Sequence, residues 1–288
     1  MLRGLYTAAA GMTAQQRRHD AVTNNISNIN TPGYKQTNAV TRSFPDMLLS
    51  LTGVDSQSSK SIGRMSTGVF AEESLSIHLQ GDLIQTNKTS DFALLSNIDV
   101  PGMAFDESGK YVSPDGEVTF QPQAYFTVQK PNEEIRYTRG GSFSLTDTGF
   151  LVTSDGSNVL GANGQPIQFP VGVSLDQLVL TEDRRFVNAQ TGADSGVQLL
   201  ISRVEDPNQL VRAGDGNFRL AGDQGVVQPI AANERIEVRQ GYIERSNVDA
   251  AQASVDLMSA LRAYEANQKV IQAYDESLDK AVNQVGRI

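Results

Sequence analysis

Leu257-Met258-Ser259-Ala260-Leu261-Arg262-Ala263-Tyr264, carried on through Ile271 and Leu278 to Val285, is the stretch on which the fold turns. Leu257, Tyr264, Ile271, Leu278 and Val285 recur at every seventh position, with Leu261 and Val282 beside them. An apolar seam at that spacing belongs to a helix that needs a second helix to shield it from water. No Pro or Gly interrupts the segment from Ser246 to Val285. Fully helical, it would be roughly 55–60 Å long at 1.5 Å per residue. Ser246 with Asp249 three residues later has the pattern of a capping box, with Asp in place of Glu, at the start of this helix. Gln268 and Asp275 flank the seam, and polar residues there lower stability while selecting register.

The opposite end carries a matching pattern. Leu5, Met12, His19 and Ile26 repeat by seven, and Ala8, Gln15, Val22 and Ile29 follow three positions on. Asn24, Asn25, Ser27, Asn28 and Asn30 then compete with the backbone for hydrogen bonds and wear the helix down. Pro32 disfavours helical geometry at Thr31, and Gly33 supplies a turn. Charge differs between the two ends. Residues 1–42 hold Arg3, Arg17, Arg18, Lys35 and Arg42 against Asp20, a net of +4. Residues 246–288 hold six acids against four bases, a net of −2. The opposite signs favour docking of the two helices, within one chain or between neighbours, although exposed pairs contribute only about 0–1 kcal/mol each.

Between the ends the pattern shortens. Residues 36–67 read as an extended connector with a small apolar anchor at Phe44-Pro45-Asp46-Met47-Leu48-Leu49 and a serine-rich run at 56–61. Beyond Gly68 come strand-length runs: Val69 to Leu79, Phe92 to Leu95, Ala124 to Val128, Phe143 to Leu145, Phe150 to Val152, Leu178 to Leu180, Val197 to Val204 and Phe218 to Leu220. Turns are predicted at Asp115-Gly116, Asp155-Gly156, Asn163-Gly164 and Asp215-Gly216. The predicted class is α+β. Terminal helices (1–35 and 246–288) form a coiled-coil-like assembly module, 36–67 connects, and 68–245 is an all-β inner region.

Composition excludes several functions. A net charge of −9 argues against a nucleic-acid binder. No apolar run approaches the length of a membrane span. Gly4 and Gly11 interrupt the start, which therefore lacks the apolar core of a secretory signal. With no Cys and only His19 and His78, thiol chemistry and His-rich metal sites drop out. Glu72-Glu73 and Glu133-Glu134 are adjacent pairs, which a strand points to opposite faces, so they do not make a glycosidase pair. Asp106 to Glu117 has the length of a calcium loop, but Tyr111 stands where the turn glycine belongs and Lys110 at a ligand position. No catalytic residue, cofactor or metal is predicted.

Longer stretches carry a resemblance. Gly4-Leu5-Tyr6-Thr7-Ala8-Ala9-Ala10-Gly11-Met12 and Asn24-Asn25-Ile26-Ser27-Asn28-Ile29-Asn30-Thr31-Pro32-Gly33-Tyr34-Lys35 resemble the N-terminal signature of bacterial flagellar rod and hook proteins, with Ser27 where Ala is usual. Gly241-Tyr242-Ile243-Glu244-Arg245-Ser246-Asn247-Val248-Asp249 and Arg262-Ala263-Tyr264-Glu265-Ala266-Asn267-Gln268-Lys269 are similar to that family's C-terminal signature. Weaker matches lie at Leu83 to Leu94, at Tyr137-Thr138-Arg139-Gly140-Gly141-Ser142-Phe143 and at Gly149-Phe150-Leu151-Val152. Residues 97–123 are longer than the family's usual link, either as a surface hairpin bearing a partner contact or as a tolerated insertion.

The resemblance implies a structural subunit of the basal-body rod, most like its distal section. Such a subunit polymerises through its terminal helices into a torque-transmitting tube. It also implies partners (copies of itself, other rod and hook subunits, the flagellar type III export apparatus) and export beyond the cytoplasmic membrane without a cleaved signal peptide. The expected assembly surface is Leu5, Met12, Val22, Ile26 and Ile29 against Leu257, Leu261, Tyr264, Ile271, Leu278 and Val285. The resemblance adds Asn24, Asn25, Asn28 and Asn30 as hydrogen-bonding groups between subunits. A hook-type subunit and a secreted adhesin with a coiled-coil stalk and β head are the alternatives.

Overall fold

A computed structural model describes residues 2–51, 60–96, 98, 100–106, 109–221, 227–230 and 236–285. The fold mixes helix and strand, with a long helix near each end: α1, Leu2–Ser27, and α2, Ala250–Lys280 followed by a π-helical turn at Ala281–Val285. Between them, among the described residues, lie strands and two short 3-10 turns at Leu175–Gln177 and Pro207–Gln209. The chain divides into two compact units. One comprises Met1–Ser27, Thr37–Leu75 and Asp249–Ile288, and the other Asn28–Gln36 and Ser76–Val248.

In the first unit α1 packs on α2. The start of α2 differs from the sequence expectation, because the cap is Asp249 itself. Its carboxylate accepts from the backbone N–H of Ala251 at 2.8 Å and of Gln252 at 2.9 Å, while Ser246 Oγ accepts only from Val248 N–H. One carboxylate satisfying two orphan donors needs no reciprocal partner. Asp249→Ala is expected to cost about 1 kcal/mol and to fray the first turn. Faster amide exchange at 251–253 with unchanged exchange in mid-helix would show it.

Residues 37–75, read as a connector up to residue 67, form paired strands of this unit. Thr41–Ser43 pairs with Val69–Ala71, and Met47–Leu51 with Lys60–Met65. Phe44 and Phe70 meet at 5.0 Å between ring centroids, so the predicted anchor has a ring partner. These strands are too short for periodicity to distinguish them from extended chain. The serine run at 56–59 lies outside the described residues.

The second unit is built on a nine-stranded sheet. Its central strand Gln123–Gln129 pairs antiparallel with Ile135–Thr138, Asn158–Val159 and Ile201–Val204. That strand is buried on both faces. Ala124, Phe126 and Val128 enter a core with Phe92, Phe143, Phe169 and Phe186, while Tyr125 packs with Val204, Leu210 and Phe218 on the other face. The run Val197 to Val204 splits into Asp194–Gln198 and Ile201–Val204, which belong to different sheets. The predicted turns are in place, with Gly116, Gly156, Gly164 and Gly216 all at positive φ. Within 97–123, Lys110–Val112 and Val118–Phe120 form an antiparallel hairpin.

Candidate functional site

Two constellations stand out, one in each unit. The first is the helix pair. A Cβ on Gly4 would strike the Tyr274 ring, and a Cβ on Gly11 would lie 3.1 Å from Asn267 Nδ2. Advancing seven residues on α1 retreats seven on α2, so the helices run antiparallel. The same direction brings the guanidinium of Arg18 to Asp256, N to O at 3.0 Å. Continued by sevens, this register sets Arg18 and Asn25 level with Ala260 and Ala253, both of which are buried. At Gly4 and Gly11 small residues of α1 meet the larger Tyr274 and Asn267 of α2, which lets the two backbones approach closely there.

The expected seam residues divide. Val22 is buried, and Leu5, Met12, Ile26, Leu257, Tyr264, Ile271 and Leu278 are half-buried. Leu261 is exposed, because the inner row of α2 runs through Ala253, Ala260, Asn267 and Tyr274, one position earlier. Val285 closes the π-helical turn. Asn25 is buried and commits its amide within the unit, Nδ2 donating to the Thr37 carbonyl at 2.8 Å and Oδ1 accepting from Thr37 N–H at 2.9 Å. Asn24 and Asn30 are exposed. Asn28 and Ile29 are half-buried and begin the 28–36 strap of the second unit. Reading only apolar heptads missed Gly4, Gly11, Ala253 and Ala260. Their own seven-residue spacing was the available signal.

The second constellation was not foreseen. Lys35, Arg139 and Glu244, one from each of three separate motifs, meet in the interior with side chains essentially sealed from solvent. Glu244 Oε1 accepts from Lys35 Nζ at 2.6 Å and from Gly81 N–H at 2.9 Å, and Oε2 accepts from Arg139 Nε at 2.8 Å. Lys35 also donates to the Leu79 carbonyl, and Arg139 to the Ala124 carbonyl and Ser96 Oγ. Burial pushes the Glu244 carboxyl up, but the Arg139 and Lys35 charges outweigh it and hold the group below the usual carboxylate range. Burial brings the Lys35 ammonium down to about 8 against the pull of Glu244.

Beside the triad, His78 Nδ1 lies 2.9 Å from the Tyr125 hydroxyl. Burial, then the nearby cations Lys35, Arg212 and Arg139, lower the His78 imidazole to about 3, so it stays neutral. Burial pushes the Tyr125 phenol up.

The surrounding backbone explains the motif spellings. Gly33 has φ +70°, and a Cβ there would meet the Arg139 carbonyl carbon at 2.5 Å. A Cβ on Gly141 would strike the Phe92 carbonyl. Asn247 gathers three segments: Oδ1 accepts from Gln36 N–H at 2.6 Å, and Nδ2 donates to the carbonyls of Ile77 at 2.9 Å and Leu79 at 3.2 Å. Among the described residues there is no cluster of His, Asp and Glu able to hold a metal ion. No described helix is long and apolar enough to cross a membrane.

Helices from both ends of the chain packed together, and a second unit holding a buried ion triad, are the two features that the geometry puts forward. Comparison with known proteins identifies the family. The description "Flagella basal body rod protein" matches residues 5–35, "Flagellar hook protein FlgE/F/G D1 domain" matches 121–184, and "Flagellar basal body rod FlgEFG protein C-terminal" matches 239–285. The chain is 36% identical to the flagellar hook-basal body complex protein FlhO of Bacillus subtilis over the full length of both. It is 32% identical to the flagellar basal-body rod protein FlgG of Agrobacterium fabrum over 96% of each chain. Against FlgG of Bacillus subtilis it is 28% identical over 98% of this chain and 99% of that one. The chain belongs to the flagellar basal-body rod and hook protein family. It is a structural rod subunit and not an enzyme, and the hook and adhesin alternatives are not favoured.

Proposed function

We propose that this subunit belongs to the distal rod and polymerises through its terminal helices into the torque-transmitting shaft. The observation that carries the reading is the antiparallel pair of α1 and α2, whose interlocking small and large residues join the two ends of the chain into one helical module. The expected coiled-coil-like character and the all-β inner region are parts of the same reading. Supporting the distal position is similarity over nearly the whole chain to rod proteins of comparable length. Copies of this chain, neighbouring rod and hook subunits and the export apparatus are the proposed partners.

In domain terms, the assembly module would be 1–27 with 249–288, because 28–36 carries Lys35 into the other unit. Basal bodies from a strain lacking this chain, imaged by electron microscopy, are expected to end in a rod without a hook. Complementation with the full chain should restore the hook, and a chain lacking 1–27 and 249–288 should not. Hook-bearing rods in the deletion strain would overturn the rod position. Restoration by the shortened chain would overturn the terminal-helix mechanism alone.

A further inference from the structure

Three cations and one carboxylate lie around His78. Lys35, Arg212 and Arg139 all press on its imidazole, and Glu244 is committed to two of them, Lys35 and Arg139. Arg212 has no carboxylate partner among the described residues. Its guanidinium lies 4.4 Å from the centre of the Tyr34 ring, and Nη2 donates to the Lys35 carbonyl. Its Nε is buried without a hydrogen-bond partner. By contrast, Arg136 and Arg203 on the same sheet pair with Glu134 and Glu205. Arg212 stands directly opposite Phe218 across two paired strands, so the two side chains share a face. The His78 ring packs on the same Phe218, at 5.9 Å between ring centroids.

His78 supplies a second orphan. It is 9% exposed, and its Nε2 is buried without a partner. Counting hydrogen bonds fixes its tautomer. Burial holds the Tyr125 phenol in its protonated form, and the hydroxyl meets only His78 Nδ1 among the described residues. If that hydroxyl donates to Nδ1, the Nε2 proton alone is left over. The other tautomer strands two groups, the hydroxyl proton and the Nε2 lone pair. Nε2–H and Arg212 Nε–H are therefore two buried donors beside one phenylalanine ring, in a region of net positive charge.

We propose that a single halide ion binds here, accepting from both His78 Nε2–H and Arg212 Nε–H. Hydrogen bonds to an ionised acceptor are the strong kind, and removal from water strengthens them further. A water molecule accepting from the same donors would turn its own two protons toward the cations. The buried rings of Tyr34, Tyr125 and Phe218 wall the place. Such walls favour weakly hydrated bromide and chloride over fluoride, which gives up its water at greater cost. Arg212 is the half-buried member of the group and sits on the last strand of the sheet path, so the ion enters past it. Once bound, the halide offsets the repulsion among Lys35, Arg139 and Arg212. The site lies wholly within the second unit and is independent of the subunit reading.

Two measurements on the full chain test it. In urea unfolding at fixed ionic strength, bromide replaces fluoride stepwise. Relative to Arg212→Met, the midpoint of the parent chain is expected to climb with bromide concentration, as a ligand of the folded state requires. Chloride should need a higher concentration than bromide for the same climb. His78→Leu should behave as Arg212→Met does. Arg219→Met removes an exposed cation from the other face of the same strand and should behave as the parent. Crystals of the parent chain grown in sodium bromide supply the second measurement, which needs no variant. An anomalous bromine peak bonded to both His78 Nε2 and Arg212 Nε is expected. An ordered water in that place, with no anomalous signal, would overturn the proposal. Equal bromide dependence in the parent and in Arg212→Met would overturn it too, a peak in the crystal then meaning binding at crystal concentration only.

Discussion

Glu244→Ala is expected to destabilise the strand-built unit by about 3–5 kcal/mol, the usual cost of removing one partner from a buried ion group. The carboxylate is the only anion between Lys35 and Arg139 in the triad, and it also accepts from Gly81 N–H. Without it two cations face each other in a desolvated pocket, and a buried backbone donor loses its acceptor. Against a typical total of about 5–15 kcal/mol, that is a large share. Urea unfolding followed by far-UV circular dichroism would read it as a lower midpoint at unchanged slope. A loss below about 1 kcal/mol would show that the triad does not hold the unit together.

The companion variant separates charge from packing. Lys35→Met, Arg139→Met and Glu244→Leu together remove all three charges at similar volume and are expected to come within about 2 kcal/mol of the parent chain. If the triple variant is as poor as Glu244→Ala, shape rather than unpaired charge explains both. The triad's value then lies less in net stability than in which segments it joins. Residues 35 and 244 are 209 apart in sequence, and 139 and 244 are 105 apart. A group satisfied only when all three segments are in place selects one arrangement of the strap over its alternatives.

That distance is also why the triad escaped the sequence reading. Lys35, Arg139 and Glu244 each ended or sat within a recognised motif, but a motif spells local geometry and does not name its partner across the fold. The helices were legible because period seven repeats along the chain itself. Their register was not, since it depends on Gly4 and Gly11 as gaps for Tyr274 and Asn267, and apolar patterns do not count gaps. Leu261 was assigned to the seam for the same reason. With Ala253 and Ala260 recognised as the inner row, it falls outside. Strands of the sheet were found where alternation or apolar runs were strong, as at Phe143–Leu145 and Leu178–Leu180. The two- and three-residue strands at Thr37–Asn38 and Thr41–Ser43 carry no periodicity to read.

Stability of the strand-built unit is expected to fall as pH drops from about 6.5 toward 3, with His78 the group that acts at the upper end of that range. Its imidazole is held at about 3 in the fold against an ordinary 6.5. Between those values the unfolded chain binds a proton that the folded one refuses, so acid favours unfolding. The His78 contribution is complete above 6.5 and lost progressively below it. At about 1.4 kcal/mol for each unit of difference, the loss is of order 4 kcal/mol by pH 3. Glu244 acts in the same direction lower down: its carboxyl is depressed, so its contribution is present above the ordinary 4.5 and declines beneath it. Lys35 acts on the alkaline side. Its ammonium sits at about 8 in the fold and 10.5 when unfolded, so the unit gains stability as pH rises between those values. The profile should therefore climb to 6.5, level off to about 8, and climb again. His78→Gln keeps a polar side chain near the Tyr125 hydroxyl and removes the titration. In that variant, unfolding midpoints measured from pH 7 to 5 should become flat, since Glu244 titrates only below that window. A wild-type slope retained there would mean that another group, and not the buried imidazole, takes up the acid.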